Sequence, residues 1–159
     1  MKDALAGIAL ALLLVCGAAA QTKPNFSGTW ILDVAKTDFG PAPKLEAMSH
    51  EITHKEPTIR LATRQKTAQG ELVNDRTITT DGKENSNHIK TMVGDQDVKS
   101  TSTWDGAKLA TTIHLDVQGT PVEIVDVWEL SADGRVLTIS RKTTAGGEVA
   151  AQKFVFNKQ

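Results

Sequence analysis

The sequence predicts an all-β fold: a single up-and-down antiparallel β-barrel of about ten strands. Three observations carry this. Turn signals recur at roughly ten-residue spacing, residues between them alternate apolar and polar, and the alternation keeps one phase from hairpin to hairpin. The clearest stretch is Trp104 to Phe156. Asp105-Gly106 supplies the pair that a type I′ turn needs, since both of its central residues take φ > 0. Leu109, Thr111, Ile113 and Leu115 then alternate with polar residues, and Gln118-Gly119, Ser131 to Arg135 and Ala145-Gly146-Gly147 turn the chain three more times.

Taken in order, Phe26 to Leu32 is the first strand, with Phe26, Trp30 and Leu32 on one face. Ala35 to Pro43 carries Gly40, Pro41 and Pro43 and reads as a loop. Nine further strands are predicted at 45–54, 58–66, 72–80, 85–92, 97–104, 107–117, 122–130, 136–143 and 149–157. Lys55-Glu56-Pro57, Ala68-Gln69-Gly70, Asp81-Gly82 and Gly94-Asp95 separate the earlier ones. Neither a linker nor a shift of composition marks a second domain.

Facing residues in an antiparallel hairpin lie on the same side of the sheet, so turn geometry fixes which residues share a face. Pairing residue 104 with 107 puts Val98, Ser100, Ser102 and Trp104 on the face of Leu109, Thr111 and Ile113. Pairing 117 with 120 adds Ile124, Asp126, Trp128 and Leu130, and the next turns add Leu137, Ile139, Arg141, Gln152, Phe154 and Phe156. Read backwards, the same rule adds Asn87, Ile89 and Val93, then Leu72, Asn74, Arg76 and Ile78, then Ile59, Leu61 and Thr63, then Met48, His50, Ile52 and His54. One face therefore collects most large apolar residues, which is what a buried face requires. Ten strands would close on themselves to remove their edges, around an interior too wide for side chains to fill. The same face also carries His50, His54, Asn74, Arg76, Asn85, Asn87, Ser100, Ser102, Asp126, Arg141 and Gln152. Buried polar groups of this kind must pair, hold water or meet a ligand.

Met1-Lys2, the apolar run Leu5 to Val15 and Ala18-Ala19-Ala20 describe a secretory signal peptide over 1–20, leaving 21–159 as the barrel domain. The chain is then expected to be exported, periplasmic or extracellular. Lipoprotein processing at Cys16 is disfavoured by Val15 before it. With the leader removed no cysteine remains, so no disulfide supports the fold. Lys and Arg total 18 against 19 Asp and Glu, a net charge of −1 that loss of Lys2 and Asp3 leaves unchanged. A near-neutral chain without a basic stripe is a poor match for nucleic acid, and no segment of the mature chain reads as transmembrane.

Asn25-Phe26-Ser27-Gly28-Thr29-Trp30-Ile31-Leu32 resembles the Gly-x-Trp opening strand of the lipocalins and fatty-acid-binding proteins, the calycin group. In those families the Trp closes one end of the barrel beneath an Arg from a late strand, a part the resemblance would give to Arg141. The chain further resembles small exported bacterial proteins described as lipocalin-like, with no assigned activity. That resemblance rests on Asp38-Phe39-Gly40-Pro41, His54-Lys55-Glu56-Pro57, Thr79 to Glu84, Trp104-Asp105-Gly106 and Trp128-Glu129-Leu130-Ser131 as well as on the first strand. It implies a fold and the binding of small ligands. The 35–44 connection is too short for the helical pair of a fatty-acid-binding protein, and no long C-terminal helix follows.

His50-Glu51-Ile52-Thr53-His54 matches the H-E-x-x-H zinc-hydrolase motif. That chemistry needs a helix, which Leu45 to Lys55 could form with Leu45, Met48 and Ile52 as its apolar stripe. On a strand the two His stand roughly 13 Å apart and cannot share a metal. Asp126 and Arg141 form a sharper pair: with Leu130 facing Leu137 they face each other directly, either as an anchor for a ligand's acidic end or as a structural pair. Arg76 is expected in the same polar zone, with Asn87, His50 and His54 as further candidate contacts. Trp30, Trp104 and Trp128 could stack a planar ligand or pack the core. His114 falls outside, and His88 is a rim or surface residue.

The sequence thus points to a binding protein rather than an enzyme, with no cofactor implied. The partner is a small, lipid-like or amphipathic molecule with a polar or acidic end, held in the barrel interior. A structural or protein-interaction barrel with a water-filled interior is the second reading, and a zinc hydrolase on His50, Glu51 and His54 the third.

Overall fold

The computed structural model describes residues 23–159; the expected leader over 1–20, with Cys16, lies outside them. Ten antiparallel strands follow in sequence: β1 Gly28–Leu32, β2 Ala47–Lys55, β3 Thr58–Thr67, β4 Gly70–Thr79, β5 Asn85–Thr91, β6 Gly94–Asp105, β7 Lys108–Val117, β8 Thr120–Leu130, β9 Val136–Ala145 and β10 Glu148–Lys158. They form one sheet in which each strand pairs with its neighbours in sequence and β1 pairs with β10, leaving β4 and β5 side by side. The up-and-down barrel is therefore nearly closed, and the described residues include no helix.

The predicted register holds where hairpins are tight. Leu115 faces Val122 and Ile113 faces Ile124; Leu130 faces Leu137 and Asp126 faces Arg141. The β6–β7 hairpin pairs Trp104 with Leu109, two residues away from the expected partner, because the strands run on to Asp105 and Lys108. A shift of two leaves every face unchanged, so the inward set is as the alternation requires. Val93 departs from it: the residue sits in the β5–β6 turn and is exposed.

Residues 45–55 are strand rather than helix from Ala47 onward, because β2 pairs with β3 along its whole length and with β1 from Ser49 to Ile52. The zinc-hydrolase geometry therefore does not form. His50 and His54 lie four strand residues apart, roughly 13 Å, and no cluster of three metal-ligating side chains occurs among the described residues.

One end of the barrel is plugged. Phe26, Trp30, Ile59, Leu109, Leu137 and Phe156 are fully buried there and along the adjoining wall, each worth about 2 kcal/mol by removal from water. Trp30 Nε1 donates to the Phe26 carbonyl at 2.9 Å. The cation over the Trp30 ring is Lys158, 5.2 Å from its centroid, and not Arg141. Arg141 sits beyond reach because its carboxylate partner holds it further along the barrel, over Phe154. His54, Phe26 and Trp104 form a mutually stacked trio, with ring centroids 5.7, 5.8 and 6.1 Å apart. His54 Nδ1 accepts from the Phe26 amide at 3.2 Å, so Nε2 carries the proton and donates to Glu56 at 2.9 Å. Glu56 also accepts from Trp104 Nε1 and Thr80 Oγ1.

The β4–β5 seam is closed by side chains. Asn74 accepts from the Lys90 amide at 2.6 Å and donates to its carbonyl at 2.9 Å. From the other strand, Asn87 accepts from the Thr77 amide at 2.8 Å and donates to its carbonyl at 2.9 Å. Asn85 reaches Thr79. All three contacts fall at one register, and that register sets inward residues of β4 against outward residues of β5. A regular ladder requires the opposite, so two primary amides stand in for backbone pairs.

Candidate ligand cavity

At the other end the barrel holds a cavity of about 300 Å³ between the plug and the mouth. Its apolar wall comes from the inward residues of successive strands: Leu72 on β4, Ile89 on β5, Ile113 and Leu115 on β7, Ile124 on β8 and Ile139 on β9. Alternation along each strand places them there.

Five of the candidate residues meet in this cavity: His50, Arg76, Asp126, Trp128 and Arg141. Arg141 donates to Asp126 through Nε and Nη2, both at 2.7 Å, a bidentate pair across β8 and β9. Burial opposes the Arg141 charge, but the Asp126 charge and hydrogen bond outweigh it and raise its pKa. Arg76 approaches from the opposite wall and makes no ion pair among the described residues. Burial, then the Arg141 charge, lowers its pKa, with Asp126 pulling the other way. His50 bonds Thr63 Oγ1 at 3.0 Å and lies against Phe156. Burial first, then the charges of Arg76 and Arg141, push its pKa down to about 3, so it is neutral at ordinary pH. Asp126 balances one of the two guanidinium groups and leaves that of Arg76 unbalanced, while the exposed Lys90 adds a further cation to the lining. Trp128 Nε1, in the same wall, is a buried donor with no acceptor among the described residues.

The remaining candidates lie elsewhere. Trp30, Trp104 and His54 belong to the plug: Trp104 and His54 are occupied by stacking on Phe26 and by the Glu56 carboxylate, and Trp30 by the Phe26 carbonyl and Lys158. Asn87 serves the β4–β5 seam, since its amide is used by the Thr77 backbone.

The β1–β2 connection had been legible only as a loop, yet it shapes the mouth. Asp38 pairs with Lys153 as an isolated bridge, Phe39 is buried edge-on against Phe154 at 6.2 Å, and Gln152 Nε2 donates to the Phe39 carbonyl at 3.1 Å. Gly40 follows at φ 55°, where an added Cβ would meet the Ala151 carbonyl oxygen, so only glycine fits. The far end is tied down by the Glu46 amide on the Lys66 carbonyl at 3.0 Å and by the Glu46–Lys66 ion pair. Beneath this strap is a second space of about 220 Å³ bounded by Phe39, Pro43, Leu45 and Gln152. It shares Met48, Gln65, Met92, Arg141 and Phe154 with the main cavity, so the two adjoin.

No family model and no curated protein matches the sequence. Solved structures do. Zebrafish ileal bile acid-binding protein complexed with cholic acid aligns at 15% identity with a TM-score of 0.55, over 84% of this chain and 98% of that one. A secretory abundant heat soluble protein from Ramazzottius varieornatus aligns at 14% identity and TM-score 0.58, covering 89% and 100%. The secretory abundant heat soluble protein 4 of the same organism aligns at 15% and 0.53, covering 87% and 99%. At these identities the likeness shows the fold, an all-β barrel like those of the lipocalins and fatty-acid-binding proteins.

Proposed function

We propose that the barrel binds a small amphipathic molecule in its interior, with the acidic end at Arg76 and the apolar remainder along the Leu72, Ile113 and Ile124 wall toward the strap. The observation that carries this reading is the unbalanced charge. Two guanidinium groups and one carboxylate share the cavity, His50 is neutral, and the one internal carboxylate is already taken by Arg141. A half-buried cation with no partner in the protein favours an anionic ligand, and Trp128 Nε1 offers a further donor. The fold likeness to a protein solved in complex with cholic acid, an amphipathic steroid with a carboxyl end, supports the same reading. Export to the periplasm or the extracellular space is part of the same proposal, supported by the basic start, the apolar run Leu5 to Val15 and Ala18-Ala19-Ala20 in the sequence.

Native mass spectrometry of protein purified without denaturation tests this. An added organic mass that survives desalting, on a chain beginning near Gln21, is the expected result. A bare chain mass would favour a water-filled barrel instead, and a stoichiometric zinc ion would revive the hydrolase.

A further inference from the structure

The two methionines of the described residues stand together at one place, the junction between the main cavity and the space beneath the strap. Met48 points inward from β2 and Met92 caps the β5–β6 turn, and both line both spaces. They differ in exposure. Met48 is partly buried against the core, whereas Met92 is 49% exposed. The turn that carries Met92 is fixed on either side. Thr91 Oγ1 donates to the Gly94 carbonyl at 2.7 Å and accepts from the Val93 amide at 3.2 Å, and Asn74 clamps the Lys90 backbone. Met92 is thus carried by a fixed turn at the mouth, about half exposed while lining both spaces.

We propose that Met92 is an oxidation site that regulates ligand uptake, an inference that rests on the interior binding reading. A hydroperoxide transfers one oxygen atom to the sulfur. The O–O bond breaks, an S–O bond forms, the sulfur gives up two electrons, and the hydroperoxide leaves as the alcohol, or as water when it is hydrogen peroxide. The product replaces an apolar, flexible side chain with a strongly polar sulfoxide. At the mouth, where the tail of an amphiphile passes between Met48, Met92 and Phe154, that group must either lose its hydration or swing aside. Met92 should react first because it is the more exposed of the two, with Met48 partly buried against the core.

The test treats the protein with hydrogen peroxide, maps sulfoxides by peptide mass spectrometry, and measures dodecanoate binding by calorimetry before and after. The expected result is faster oxidation at Met92 than at Met48, with affinity falling roughly ten-fold. Methionine sulfoxide reductase should restore that affinity. Met92→Leu, compared with its own untreated form, should keep its affinity through the same treatment. Oxidation of Met92 with unchanged affinity, prior oxidation of Met48, or equal losses in Met92→Leu would overturn the site. If untreated protein binds no dodecanoate, the interior reading fails at that step and the regulatory site goes with it.

Discussion

Asp126 and Arg141 hold each other through two bonds of 2.7 Å, with Asp126 almost wholly buried. Removing one partner strands the other, and Asp126→Ala should cost about 3 kcal/mol in urea unfolding. Replacing both with apolar residues should cost much less, because no charge is then left alone. His50 has a consequence for pH. Its folded pKa near 3 lies below its ordinary 6.5, so the unfolded chain takes up a proton that the folded chain refuses. Stability from this group is full above about pH 6.5 and falls as pH drops toward 3, by about 1.4 kcal/mol per unit at most. Unfolding midpoints should therefore fall on acidification, and His50→Gln should flatten the decline between pH 6.5 and 4. Single side chains were partly legible in the sequence. The register argument alone placed Asp126 against Arg141. It missed Lys158, although the alternation that turns Phe156 inward also turns Lys158 to that side, over Trp30.

Nine of the ten strand junctions are backbone ladders, and β4–β5 is the exception. Its asparagine brackets make it the place where the barrel should open first. Asn74→Ala together with Asn87→Ala should raise amide hydrogen exchange at Lys90 and Thr77 while leaving β8 and β9 protected. The loss should be about 1 kcal/mol per bracket. Unchanged protection at those amides would show that the brackets bear no load. The signal in the sequence was asparagine in the middle of two adjacent strands, where it is a poor β-former. Phase alone could not reveal the seam, because a facing-residue rule assumes the ladder whose absence defines it. The strap was hidden for a different reason. Its fixed points are long-range contacts of Phe39 and Glu46 with β10 and β3, and an irregular segment has no period from which to read them.

At the scale of the whole barrel, repeated turns and one unbroken phase were enough to specify an apolar lining, because each hairpin hands its inward face to the next. The lining then carries more positive charge than the protein itself neutralises, and the seat of that charge is Arg76. Division of the polar set was less legible. Alternation sends His50, His54, Asn87 and Arg76 inward alike, and only position along the barrel axis separates plug, seam and cavity. The measurement that tests the account most directly is paired calorimetric titration with dodecanoate and dodecanol, which share a tail and differ in charge, on the native protein and on Arg76→Leu. A charge-assisted hydrogen bond in a buried site is worth about 2 kcal/mol, so the native protein should prefer the carboxylate about ten-fold or more, and Arg76→Leu should lose that preference while still binding the alcohol. Equal affinity for the two compounds, or a preference that survives the loss of Arg76, would contradict it.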